Sequence, residues 1–511
     1  MHPYLHAQST PDKPACIFPS TGEAVSYRQL DERSNQGAHL FRSLGLVRGD
    51  VIAVCMENNP RYLEIAWANQ RSGLYMVCVS SKLTASEVEY IVNDCGAKLF
   101  ITSGGMGELA QRAAPLLRHT SLYMVGDISE RYRSWEQARD AMPMTPIADQ
   151  STGADMLYSS GTTGRPKGVK FALSADPIDA PTTLANLAST LYGMNADTRY
   201  LSPAPLYHAA PLRWCLTVQH LGGTVVLMDH FDAEGALELI QRYGVTHAQW
   251  VPTHFVRFLR LPAATRARYD MSSLKSAIHA AAPCPVPVKE QMIEWWGPVL
   301  HEYYAGTEGN GMTAITAREW LTKKGSVGRA VFGEIKVCDD GGEQVAAMTE
   351  GVIYFAGGKE FEYHNAPEKT AEARNAKGWT TLGDVGYVDQ DGYLFLTDRK
   401  AFMIISGGVN IYPQEIENLL VTHPAVMDAA VVGAPDDEMG EKVVAVVQLV
   451  NPAAASAQLT NELLEFARDH LSHVKVPRLI EFTRELPRHP NGKLYKRLLR
   501  DAYWGKASKI V

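Results

Sequence analysis

Eleven consecutive residues, Tyr158-Ser159-Ser160-Gly161-Thr162-Thr163-Gly164-Arg165-Pro166-Lys167-Gly168, restrict the fold more than any other stretch of the chain. They place three glycines, four Ser/Thr hydroxyls and a lysine directly after the apolar run Met156–Tyr158. A strand that ends in such a loop can aim backbone N–H groups, hydroxyls and an ammonium at one anion, usually a phosphate. A flexible Ser/Gly/Thr linker shares the small residues, but it has no use for the Pro-Lys-Gly end. The segment is not a Walker A loop either. Gly168 follows Lys167 where that motif has Ser or Thr, and the glycine spacing differs.

At 511 residues the chain is too long for one simple core, so two or more domains are expected. A 46% hydrophobic and 21% charged composition is that of an ordinary globular protein and excludes a disordered chain. Its net charge of −7 offers no broad basic face, so no nucleic-acid partner is expected. Seven scattered cysteines, an odd number without a Cys-x-x-Cys pair, argue against a disulfide framework or zinc site and for a reducing compartment. The start, Met-His-Pro-Tyr-Leu-His, does not read as a signal peptide. No window approaches the roughly 18 to 20 apolar residues that cross a bilayer. The expectation is a cytoplasmic protein.

Helix-like and strand-like segments alternate through the first half. Leu30 to Leu44 reads as an amphipathic helix, Val51–Cys55 as a buried strand, and Thr84 with Glu87 as a capping box opening a helix through Val92. Leu99–Thr102, Gly222–Met228 and Val245–Val251 read as further strands, a succession that points to parallel α/β sheets. After Asp398-Arg399-Lys400 the pattern changes to a Ser-Gly-Gly loop, a helix from Pro413, and strands at Ala429–Gly433 and Val443–Val450. A loop over Asn451–Ala457, a helix near Glu462–His470 and a strand at Leu479–Phe482 follow. The expected architecture is therefore α/β: a large N-terminal domain, 1–400, of mixed and parallel sheets flanked by helices, and a small α+β domain, 401–511.

Further motifs accompany the loop. Tyr304-Ala305-Gly306-Thr307-Glu308, His279-Ala280-Ala281-Ala282-Pro283, and Gly383-Asp384 with Asp398-Arg399 are the first three. Ile405-Ser406-Gly407-Gly408-Val409-Asn410 and Pro487-Arg488-His489-Pro490-Asn491-Gly492-Lys493 complete the set. Taken singly, Glu308 reads as a surface acid, Tyr304 as a core aromatic, Gly383-Asp384 as a turn and the basic tail as a solvated charge run. In this order they resemble the acyl-adenylate-forming superfamily, which comprises acyl-CoA synthetases, nonribosomal-peptide adenylation domains and firefly luciferase. The likeness runs from about Tyr27 to Lys493 and is strongest from Asp155 to Lys496.

The resemblance implies an enzyme that uses ATP, Mg²⁺ and coenzyme A on a small carboxylic acid, as a monomer or homodimer. Activation of a carboxylate needs a phosphate cradle, a divalent metal, a ribose anchor and a cation for the charge between carboxylate and α-phosphate. The phosphate loop would be Ser159, Ser160, Gly161, Thr162, Thr163, Gly164 and Lys167. Ala281, Ala282 and Pro283 would pass beside adenine, as would Tyr303, Tyr304, Ala305 and Gly306. Thr307 would contact the α-phosphate and Glu308 would hold the metal. Asp384 and Arg399 would bind ribose, Gly407 and Gly408 would line the pantetheine tunnel, and Lys493, not Lys496, would be the catalytic lysine of a mobile C-terminal domain. Ala305 stands where relatives have glycine, Leu382 where they have threonine, and Ala401 at the hinge where they have Asp or Lys.

His208, in Pro205-Leu206-Tyr207-His208, fits the aromatic-histidine motif of the acyl side, and Trp250, Thr253 and Met312 are candidates to face the acyl group. Pro205–Trp214 contains no acid to pair with a substrate ammonium, which argues against an α-amino acid. The reading is an acid–CoA ligase for a fatty, bile-acid-like or aromatic acid. The alternative is a free-standing adenylation enzyme that passes the acyl group to a carrier protein or an amine. A luciferase-like oxygenase and a non-catalytic relative are disfavoured, the latter because Glu308, Asp384, Arg399 and Lys493 are all present.

Overall fold

A computed structural model describes residues 2–159, 166–399, 402–407, 409–436, 438–488 and 494–505, with Ser159 and Arg399 described in backbone only. Short polar caps decide where the helices begin. The Thr84 hydroxyl accepts the Glu87 N–H and the Glu87 carboxylate accepts the Thr84 N–H, so the expected capping box opens helix Ala85–Asp94. The helix expected from Leu30 starts at Tyr27, because Ser26 and Gln29 form a second reciprocal cap. Gly37 in that helix permits close packing: a Cβ there would lie 2.7 Å from Ala68 Cβ.

The first sheet has six strands among the described residues, in the order Arg133–Ser134, Ser121–Val125, Leu99–Ser103, Val51–Cys55, Tyr75–Cys78, Ala154–Asp155, all parallel. The second carries thirteen strands among the described residues. Arg199–Ser202, Thr224–Leu227, His247–Trp250, Ser276–His279 and Leu300–Ala305 form its parallel centre. From Leu300–Ala305 onward the sheet turns antiparallel through Met312–Thr316, Ser326–Phe332, Leu394–Arg399 and Thr380–Val388. Strands Thr224–Leu227 and Ser276–His279 are buried at every residue, as expected of parallel strands covered on both faces. A small sheet joins Leu157–Ser159 and Lys167–Lys170 as a hairpin with Glu362–Tyr363 alongside.

The last sheet has its own core around Ile416, Val431, Ala445 and Leu463. Strands Val426–Asp436 and Gly440–Leu449 pair antiparallel, and Leu479–Thr483 adds in parallel. Ile404–Ser406 and Val409–Ile411 form a hairpin across the Ser-Gly-Gly turn, with Gly407 at φ +57° and Gly408 outside the described residues. The region expected as a loop over Asn451–Ala457 contains a 3₁₀ turn, Pro452–Ala454. Helix Ala457–His470 then starts five residues before the expected Glu462, because the Ser456 hydroxyl caps the Leu459 N–H.

Candidate active site

The phosphate-loop motif is the connection of the small hairpin. Lys167 pairs opposite Ser159 and Gly168 opposite Tyr158. Ser160, Gly161, Thr162, Thr163 and Gly164 lie outside the described residues. Both ends of the hairpin are tied to the capped helix Ala85–Asp94, since Tyr158 donates to Asp94 and Tyr90 donates to the Pro166 carbonyl. Burial, with the neighbouring Lys369 charge, pulls the Lys167 ammonium below its ordinary pKa, and Glu372 opposes them.

Strand Leu300–Ala305 delivers the next motif. Ala305 is regular strand opposite Met312, so its departure from glycine needs no unusual backbone angle. Gly306 is required sterically: a Cβ there would come within 2.6 Å of Leu382 and 2.9 Å of Glu308 Oε2. Leu382, the other departure, thus packs against the glycine that opens the Thr307–Glu308 turn. The Tyr304 hydroxyl donates to Asp384 Oδ2 at 2.6 Å, joining the tyrosine expected beside adenine to the carboxylate expected at the ribose. Asp384 is buried and stands opposite Arg399 in the antiparallel ladder, which accounts for the spacing between the Gly-Asp and Asp-Arg pairs.

Glu308 is 8% exposed, and the Tyr363 hydroxyl donates to its Oε1 at 2.9 Å. Among the described residues no group of three or more His, Cys, Asp or Glu side chains could hold a metal. A lone cleft carboxylate fits magnesium, which keeps waters and substrate phosphates as its other ligands, and does not fit zinc. Ala281, after strand Ser276–His279, has φ +76°, a left-handed geometry that costs energy for a residue with a Cβ. Ala281, Ala282 and Pro283 border the same cleft.

Two residues that carried no motif support this loop. The Arg213 guanidinium, on helix Ala209–His220, forks onto Asp155 with Nη2 at 2.7 Å from Oδ2, and reaches the Thr307 carbonyl at 3.3 and 3.4 Å. It therefore ties an edge strand of the first sheet to the Thr307–Glu308 turn of the second. An isolated arginine or aspartate has no periodic signal, so sequence reading missed both.

Lys167, Tyr304, Thr307, Glu308 and Asp384 all line one cleft of about 3680 Å³. That is several times a typical ligand pocket, enough for a nucleotide together with an acyl chain. His208, Thr253 and Met312 line it too. Trp250, expected to face the acyl group, borders the cleft, but its ring is only 1% exposed and packs among Phe231, Phe258 and Trp296. Successive strand residues face opposite ways, so its neighbour Gln249 occupies the other face, hydrogen-bonded to Tyr303. Tyr303, expected beside the nucleotide, sits in that apolar wall against Trp214.

The C-terminal unit closes one side of the cleft. Asp398 accepts the Gln414 N–H at 3.0 Å, in the first turn of helix Pro413–Leu420, and Arg260 donates to the Val426 carbonyl. Lys496 is buried and paired with buried Glu417 at 2.9 Å, a structural position. Lys493 and Ala401 lie outside the described residues.

Residues 5–361 match the AMP-binding enzyme family and residues 415–493 the AMP-binding enzyme C-terminal domain. The chain belongs to this acyl-adenylate-forming family, and it is an acid–thiol ligase that uses ATP. Among its relatives, the fatty acid–[acyl-carrier-protein] ligase ScoC of Streptomyces coeruleorubidus is 32% identical over 99% of this chain and 96% of its own. A feruloyl-CoA synthase of Amycolatopsis sp is 33% identical over 93% of each chain. The structure of o-succinylbenzoate CoA synthetase from Bacillus subtilis, in complex with its acyl-adenylate, superposes with TM-score 0.81 at 26% identity. That match covers 98% of this chain and 97% of the other.

Proposed function

We propose that this chain is an ATP-dependent carboxylic acid–CoA ligase for a fatty, bile-acid-like or aromatic acid, releasing AMP and pyrophosphate. The observation that carries the reading is convergence. Lys167, Glu308, Tyr304 and Asp384 come from separate segments to one cleft that also reaches His208, Thr253 and Met312. In the first half-reaction the acid's carboxylate oxygen attacks the α-phosphorus of ATP, the α–β bridging bond breaks, and pyrophosphate leaves. In the second, the CoA sulfur attacks the acyl carbon and AMP leaves. The phosphate-loop residues Ser159 to Gly164, with Lys167 and Thr307, hold the phosphates, while Asp384 and Arg399 hold the ribose. Magnesium on Glu308 would neutralise phosphate charge in the first step.

Lys493, carried by a mobile unit from Ala401 onward, enters the cleft for adenylation and withdraws as Gly407 and Gly408 approach for thioester formation. Residues 1–400 form the adenylation domain. No helix among the described residues is long and apolar enough to cross a membrane, and we place the enzyme in the cytoplasm as a monomer or homodimer. Transfer to a carrier protein or an amine is the second reading, favoured by the 32% identity to a ligase named for an acyl carrier protein. A panel of acids assayed for AMP release with and without CoA separates the two. Turnover that rises with CoA supports the ligase, whereas AMP release indifferent to CoA but dependent on a carrier protein or amine supports the second. AMP release with no acid at all would contradict both.

A further inference from the structure

Three polar groups meet in the wall between helix Ala209–His220 and the parallel centre of the large sheet. Trp214 Nε1 donates to the Tyr303 hydroxyl at 3.3 Å, and Gln249 Nε2 donates to the same oxygen at 2.7 Å. All three side chains line the cleft, and each is more than nine-tenths buried. Trp214 and Tyr303 belong to the buried cluster that includes Tyr200, Leu212 and Met312, and the ring of Tyr192 packs edge-on against Trp214.

The hydrogen-bond count does not close. The Tyr303 oxygen already accepts twice, and no acceptor for its proton is found among the described residues. Gln249 Oε1 is buried without a partner. Turning the amide over lets the phenol donate to Oε1, but it leaves the Gln249 –NH₂ unmatched instead. Burial holds Tyr303 well in its protonated form, because desolvation raises its pKa above the ordinary phenol value while the hydrogen bonds from Trp214 and Gln249 pull the other way. Either arrangement leaves donors or acceptors unmatched in a wall where a buried polar group without a partner is unfavourable.

We infer that Gln249 and Tyr303 select an acid bearing a hydroxyl or amino group on its tail, which completes their hydrogen bonds. This rests on the acid–CoA ligase reading and narrows its substrate class. The strand that carries Tyr303 runs directly into Gly306-Thr307-Glu308, so an acid whose carboxylate lies at Thr307 extends its tail along this wall. A hydroxyl there accepts from the phenol and donates to the amide oxygen at once. A purely apolar tail leaves both unmatched and loses that contribution. The bland occupant of such a gap is a trapped water, and a water would confer no preference between acids.

The test uses matched pairs: benzoate with 4-hydroxybenzoate and 4-aminobenzoate, cinnamate with 4-hydroxycinnamate, and decanoate with 10-hydroxydecanoate. Each is assayed for AMP release with ATP, Mg²⁺ and CoA. For at least one pair, kcat/KM is expected to favour the substituted acid roughly 10- to 100-fold. In Gln249→Leu and Tyr303→Phe that ratio is expected to fall toward 1. A general loss of folding lowers both members of a pair alike and leaves the ratio standing, so the ratio reads recognition and not stability. Substituted and plain acids turned over equally by the unmodified enzyme, or a ratio unmoved in both variants, would overturn this inference while leaving the ligase reading intact. No AMP release with any acid would overturn the ligase reading and this inference with it.

Discussion

Removing the Arg213 guanidinium would leave the Asp155 carboxylate without its cation and the Thr307 carbonyl without its donors. The pair is partly exposed, with side chains 25% and 17% accessible, so the expected loss of stability in Arg213→Met is modest, about 2 kcal/mol. Its effect on nucleotide binding should be larger, because an uncompensated anion would stand beside the site for a triphosphate and the Thr307–Glu308 turn would be untethered. The KM for ATP is expected to rise roughly 10-fold, and Arg213→Lys should not rescue it, since an ammonium cannot reproduce the fork. A folded variant with an unchanged ATP KM would detach Arg213 from the nucleotide turn. At this scale the motif residues were legible because their spacing is a signature, whereas Arg213, Asp155 and Gln249 are ordinary residues given meaning only by what they touch. Trp250 borders the cleft while most of its surface is packed inward, because in a strand the residue beside it takes the opposite face.

Helix Ala209–His220 connects two distant sites. Its N-terminus follows His208 in the cleft, while at its other end the His220 carbonyl is in hydrogen-bond contact with the ring of His6, from helix Pro3–Ser9. His2, His6 and His220 are all buried, and burial lowers each ring's pKa, that of His220 to about 4. The sign follows directly. A histidine held neutral in the folded chain binds fewer protons than the unfolded chain near pH 5, so stability is complete above the ordinary value of 6.5 and is lost as pH falls toward 4. The melting temperature should therefore drop between pH 6.5 and 4, and His220→Gln should flatten that slope. An identical slope in the variant would show that the histidine is not responsible. Strand and helix positions were mostly legible from apolar runs and caps. The displaced starts at Tyr27 and Ala457 trace to Ser26 and Ser456, serines whose capping role needs the backbone turned toward them.

Over the whole molecule, Tyr363 of the small hairpin sheet donates to Glu308 beside the large sheet, and residues of the C-terminal unit line the same cleft. The order of the motifs along the chain was legible, but their convergence was not, since nothing in linear spacing says that Tyr304 and Asp384, eighty residues apart, share a hydrogen bond. Buried Lys496 is paired with Glu417, and the proposed chemistry rests on Lys493, three residues earlier. The most direct measurement compares two half-reactions in Lys493→Ala: pyrophosphate release from acid plus ATP, and acylation of CoA by synthetic acyl-AMP. The first is expected to fall by at least 100-fold while the second largely persists, because the lysine stabilises only the charge of adenylation. Equal loss of both, or loss of neither, would contradict a single cleft in which a mobile lysine serves one step and leaves before the next.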